Sequence, residues 1–133
     1  MLSTQYNAKD CVITVDDVYI TGVGTSIVTG EKDEQMFSTT VGAQGDVCMN
    51  ETNNPLGTIT ITVQATSPQK PYLLDLAKSG KIVSIWVVNK SLQERMGGTQ
   101  ARIKNYPSMD QADTVSDRAF EFQVFDYLVE NTD

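Results

Sequence analysis

Polar and apolar positions alternate most strictly over residues 57–67, GTITITVQATS. There Ile59, Ile61, Val63 and Ala65 leave the chain on one side and Thr58, Thr60, Thr62 and Gln64 on the other. The period of two and the β-branched content predict a strand with one dry side and one wet, hydroxyl-lined side. Shorter β-rich runs predict strands at 11–15 and 18–21 around an Asp16-Asp17 turn, and at 26–29 and 36–41. Residues 82–88, IVSIWVV, are apolar on both parities, as in a strand covered on both sides, with Trp86 expected to anchor the core. In 101–106, Ala101, Ile103 and Asn105 oppose Arg102, Lys104 and Tyr106, which gives a basic strand face. The final run, 119–129, places Phe120, Phe122 and Val124 inward and then shifts parity to Phe125, Tyr127 and Val129. That shift marks a bulge, or a strand passing between two packing environments.

One helix interrupts the β pattern. Ser67 is read as its N-cap, Pro68 as its first position, Leu73, Leu74, Leu76 and Ala77 as its apolar stripe, and Gly80 as its stop. At about three turns it must lie on a sheet to be stable. The charged stretch 30–34 reads as a solvated turn and 42–55 as a long loop around Val47–Met49. Gly97-Gly98 reads as a turn and 107–117 as a polar loop. The expected fold is mainly β, a β-sandwich or partly open barrel of about seven or eight strands with one flanking α-helix. Residues 1–10 form an N-terminal arm, either flexible or ordered by a partner, and 11–133 a single domain.

Composition narrows the function. The 133 residues carry a net charge of −7, which argues against a nucleic-acid-binding surface. The charge is uneven. Lys70, Lys78, Lys81, Lys90, Arg95, Arg102 and Lys104 face only Asp75 and Glu94 within 70–104, and the rest of the chain is acidic. With no histidine, the usual general base and imidazole-built triads are missing, and no cofactor or catalytic residue is expected. Cys11 and Cys48 are too few for a disulfide scaffold; small buried thiols or one bridge both remain open. The N-terminus lacks a secretory pattern and no stretch is apolar enough to span a membrane, so synthesis in the cytosol without membrane insertion is expected.

Residues 30–68 order several motifs: a charged turn and strand, Val41-Gly42-x-x-Gly45-Asp46-Val47, an Asn-rich turn at Asn50, Asn53 and Asn54, Gly57–Thr62, then Ser67-Pro68 before the helix. This block resembles the tail tube proteins of contractile-tailed bacteriophages and prophages, whose fold is shared by type VI secretion tubes. The resemblance implies hexameric rings stacked into a hollow tube inside a contractile sheath, with the tape measure protein and transiting DNA in the lumen. It further implies a place in the virion tail, assembled in the bacterial host cytoplasm. The residues assigned to the lumen wall are Thr58, Thr60, Thr62 and Gln64, with Ser38 and Thr40 on a partner strand, forming a wall without cationic hooks. Contacts to the next ring are assigned to the arm, with Tyr6 and Lys9, and to Asp46, Met49, Asn50, Glu51, Asn53 and Asn54. A capsid-decorating or other virion β-sandwich, a type VI-like tube protein and a small-ligand barrel are the alternatives. The Thr-rich side argues against the last.

Overall fold

The computed structural model describes residues 10–21, 23–109, 111 and 114–131, with the backbone alone for 23–27. In chain order the elements are β1 (Cys11–Val15), β2 (Val18–Tyr19), β3 (Val23–Lys32), β4 (Phe37–Val41) and β5 (Val47–Glu51). They continue with β6 (Gly57–Val63), α1 (Lys70–Ser79), β7 (Val83–Asn89), β8 (Glu94–Ile103), β9 (Arg118–Val124) and β10 (Leu128–Asn131). The expected mainly β architecture with one helix is what the chain adopts.

Eight strands form one antiparallel sheet in the order β2-β1-β7-β8-β9-β6-β3, with β10 added beside β8; β4 and β5 pair only with each other. The large sheet folds over so that the inward sides of β6 and β9 and those of β1 and β7 share one buried cluster. Ile59, Ile61, Phe120 and Phe122 meet Val15 and Ile85 there, all fully buried. The turn at Asp16 and Asp17, both at positive φ (51° and 65°), is the tight hairpin loop that two short polar residues permit. The helix contributes Leu73 and Leu76 to the cluster and ends at Gly80 in the left-handed conformation, whose N–H bonds the Leu76 carbonyl.

Several sequence expectations change here. Ser67 is not the N-cap: the helix starts three residues later, with Gln69 at the cap. The buried Ser67 hydroxyl instead donates to the Thr21 carbonyl (2.7 Å), tying the chain before α1 to the end of the first hairpin. Glu31 and Lys32, expected in a turn, extend β3 and pair with Thr58 and Gly57. Of the expected loop 42–55, the five residues Val47–Glu51 are strand β5. Gly97-Gly98 is no turn but the interior of β8, opposite Trp86 and Ile85. Between Val83 and Ile85 on β7 the pairing with β8 gains a residue, a bulge. The extra residue lies on β8 between Gly98 and Ala101, and beside it Gly97 (φ 148°) sits so close to β7 that a Cβ there would collide with the Ile85 carbonyl. Trp86 is half-buried on the outward side of β7, with the Arg95 guanidinium 4.4 Å from its ring centre, not in the core. The parity shift in the last strand is a break between β9 and β10 at Phe125 and Asp126. The chain stays on one flank of β8 but moves from its inner half to its outer half.

Candidate functional site: the hydroxyl face and the projecting hairpin

The alternation in β6 does what its period requires. Ile59, Ile61 and Val63 are fully buried, and Thr58, Thr60 and Thr62 stand half-exposed on the other side. Residues paired directly across an antiparallel ladder share a side. The hydroxyl face therefore extends through Thr29 and Glu31 of β3 and through Gln123, Glu121 and Ala119 of β9. It reaches β8 at Arg102, which pairs with Gln123. A polar network sits at its Gly57 end. Thr58 Oγ1 donates to Asp33 Oδ1 (2.7 Å), Gln123 Nε2 to Asp33 Oδ2 (3.0 Å) and to the Gly57 carbonyl (2.9 Å), and Lys104 Nζ to Thr58 Oγ1 (3.1 Å). The bonds from Thr58 and Gln123 hold the Asp33 carboxyl below the usual range. The expected absence of cations on this face is thus corrected: Arg102 and Lys104 belong to it.

Gln64 lies one residue beyond β6 and is exposed. Ser38 and Thr40 are not on a strand that pairs with β6. They lie on β4, whose register runs Phe37↔Glu51, Ser38↔Asn50, Thr39↔Met49, Thr40↔Cys48 and Val41↔Val47 with β5 alone. This hairpin grows out of the β3–β6 ribbon. Past Lys32↔Gly57, Asp33 N–H bonds the Leu56 carbonyl (3.1 Å) and Thr52 N–H the Met36 carbonyl (2.9 Å). Every residue of β4 and β5 is exposed. The two sides differ: Phe37, Val41, Val47 and Met49 make one side apolar, and Ser38, Thr40, Cys48 and Asn50 make the other polar. On the polar side Asn50 Nδ2 donates to Thr40 Oγ1 (2.9 Å). Gly45 (φ 89°) shapes the tip, where Gly42 N–H bonds the Asp46 carbonyl (2.8 Å).

Of the expected contact residues, Asp46, Met49, Asn50 and Glu51 therefore fall on the projecting hairpin or its tip, and Asn53 and Asn54 at its root. Asn54 Oδ1 accepts from Leu56 N–H (3.0 Å), shaping the turn that re-enters β6. Tyr6 and Lys9 lie outside the described residues. The ring of Tyr127 lies against Gly57, and its N–H bonds the Pro55 carbonyl (3.0 Å), which pins that root to the body. Sequence reading missed the amphipathic hairpin, although the alternation FSTTV followed by VCMNE was its signal.

Two concavities accompany these surfaces. A groove of about 460 Å³ opens between β1, β3, β7, β8 and β10, where Cys11, Val28, Met96, Tyr127 and Val129 are joined by Asn89, Glu94 and Arg95. A shallower pocket of about 370 Å³ lies between α1, β8 and β9. Cys11 and Cys48 are both free thiols, and burial raises the Cys11 pKa. Among the described residues no group of three or more acidic or thiol side chains is placed to hold a metal, and no helix is long and apolar enough to cross a membrane.

No family model and no curated protein matches the sequence. The fold does have solved counterparts, similar from end to end. A chain in the cryo-EM structure of the sheath/tube terminator of an extracellular contractile injection system, PVC, in its extended state superposes with a TM-score of 0.72 at 13% identity, covering 98% of this chain and 99% of that one. A chain of the anti-feeding prophage cap, the AFP tube-terminating cap, reaches 0.65 at 9% identity over 99% and 95%. A chain of the PVC sheath-tube complex in its extended state reaches 0.66 at 14% over 96% and 93%. The fold is thus one used in contractile injection systems.

Proposed function

We propose that this chain is a structural, non-enzymatic subunit of a contractile tail-like particle, which associates with copies of itself as hexameric rings stacked into the inner tube. The observation that carries this reading is the end-to-end likeness in fold to chains of contractile injection systems. The tube would sit inside a sheath in the virion tail, assembled in the host cytoplasm, and would guide the tape measure protein and DNA without binding them specifically. Its wall would be Thr58, Thr60, Thr62 and Gln64, with Ser38 and Thr40. The hydroxyl groups themselves offer phosphates no strong partner, and Glu31 and Glu121 share the face with Arg102 and Lys104, so on this reading DNA slides past an acidic protein. The projecting hairpin, with Asp46, Met49, Asn50 and Glu51, its root at Asn53 and Asn54, and the N-terminal residues Tyr6 and Lys9 would reach the adjoining ring.

A second reading is favoured by two of the three counterparts, which come from a terminator and a cap. On that reading the chain closes the tube as a single ring. Negative-stain microscopy of the purified protein separates the two: long hollow tubes support the tube subunit, discrete rings the terminator, and a strictly monomeric species at high concentration defeats both. For the wall, particles carrying Thr60→Lys and Thr62→Lys are expected to assemble yet deliver DNA poorly. Normal delivery by such particles refutes the wall assignment.

A further inference from the structure

The apolar side of the projecting hairpin has no cover among the described residues. Phe37, Val41, Val47 and Met49 remain 48% to 69% exposed, far more than an isolated domain needs to leave in water. Glu51, paired with Phe37, stands on that same side. From Asp33 to Glu51 the only charged side chains are carboxylates: Asp33, Glu34, Asp46 and Glu51. A surface that takes this hairpin must be apolar at its centre and basic at its rim.

The pocket between α1, β8 and β9 has that character. Ala77, Ile103 and Phe125 supply its apolar part, and Arg102 and Lys104 its charge. Both cations are exposed, and neither makes a salt bridge among the described residues. The hairpin does not reach this pocket in its own chain, since it continues the β3–β6 ladder outward and all of β4 and β5 is exposed.

Building on the proposed self-assembly, we infer that the projecting hairpin of one copy lies, apolar side down, in the α1/β8/β9 pocket of a second copy, bringing Glu51 to Arg102. Donor and receptor surfaces differ, so the contact is head-to-tail and propagates rather than closing a pair. It also resolves the charge on the hydroxyl face. Carboxylates from the neighbouring copy neutralise Arg102 and Lys104, and the upturned polar side adds Ser38 and Thr40 beside the threonines of β6. Ser38 and Thr40, which do not pair with β6 within the chain, would then join its face between chains.

The test uses Glu51→Arg and Arg102→Glu in the full chain, reading by sedimentation the concentration at which assemblies form. Each variant alone is expected to raise that concentration about tenfold or more, the usual scale for breaking an interfacial charge pair. The double variant, and an equal mixture of the two single variants, are expected to return it to within about threefold of the unaltered protein. Recovery on mixing is the signature of a contact between copies, because a hairpin held in its own chain gains nothing from a second species. Lys104→Glu serves as a second receptor variant should Arg102→Glu lower the melting temperature. If the single variants assemble like the unaltered protein, or the mixture is no better than its components, the docking is refuted while tube formation still stands. If the unaltered protein never assembles, the self-assembly reading falls and the docking with it.

Discussion

Asp126 holds the break between β9 and β10 together. Its carboxylate accepts from Thr99 Oγ1 (2.5 Å), Thr99 N–H (3.1 Å) and Gln100 N–H (3.1 Å), and it holds the edge of β8 where the chain changes level. Partial burial pushes its pKa up, but these hydrogen bonds outweigh it and the net shift is downward. A lowered carboxylate pKa stabilises the fold above the unfolded pKa, and that contribution fades as pH falls through the folded value. Asp126→Asn is expected to cost about 1–3 kcal/mol at neutral pH and to flatten the acid side of the stability profile, as read by urea titrations from neutral to acid pH. Gly97 is the second such point. Gly97→Ala is expected to cost at least about 1–3 kcal/mol through backbone strain alone, with the clash against Ile85 added, seen as a large drop in melting temperature. Neither role was legible from sequence. Two adjacent glycines signal a turn far more often than a strand passing close beneath a tryptophan, and an aspartate's acceptor bonds depend on a partner strand that local pattern does not name.

At the level of elements, periodicity carried the strands and failed at their ends. The β6 alternation and its buried isoleucines follow directly from GTITITV, and the helix stop at Gly80 from glycine's freedom at positive φ. The helix start misled because Ser67-Pro68 has the right local chemistry, yet the tertiary bond to Thr21 claims the Ser67 hydroxyl. The stripe was correct: Leu73 is fully buried against the core. Leu73→Ala is expected to cost about 2–5 kcal/mol, measurable by urea unfolding, because α1 is the only helix available among the described residues to cover that part of the core. Strand β5 was missed for the opposite reason. Its residues are all exposed among the described residues, and turn-forming Gly42, Gly45 and Asn53 on either side gave the stretch a loop's composition.

For the whole molecule, the division between a body that holds nearly all buried contacts and a hairpin that holds none has a direct thermodynamic consequence. Replacing residues 36–52 by a two-residue Asn-Gly turn is expected to leave the melting temperature within a few degrees of the full chain, while assembly followed by light scattering is lost. Substantial unfolding of that shortened protein would mean the hairpin supports the body after all. The uneven charge seen in sequence also takes shape here. The carboxylates of 31–51 lie at or beyond the end of β6 that begins at Gly57, and the lysines of α1 follow its other end at Val63. Pairing continues from β3–β6 through Asp33–Leu56 and Met36–Thr52 into β4–β5, and Tyr127 is clamped over Gly57 at the junction. A tug along the hairpin is therefore borne in shear by many backbone bonds at once instead of peeling them one by one, which makes this segment a tow-line that carries axial load straight into the body of the fold.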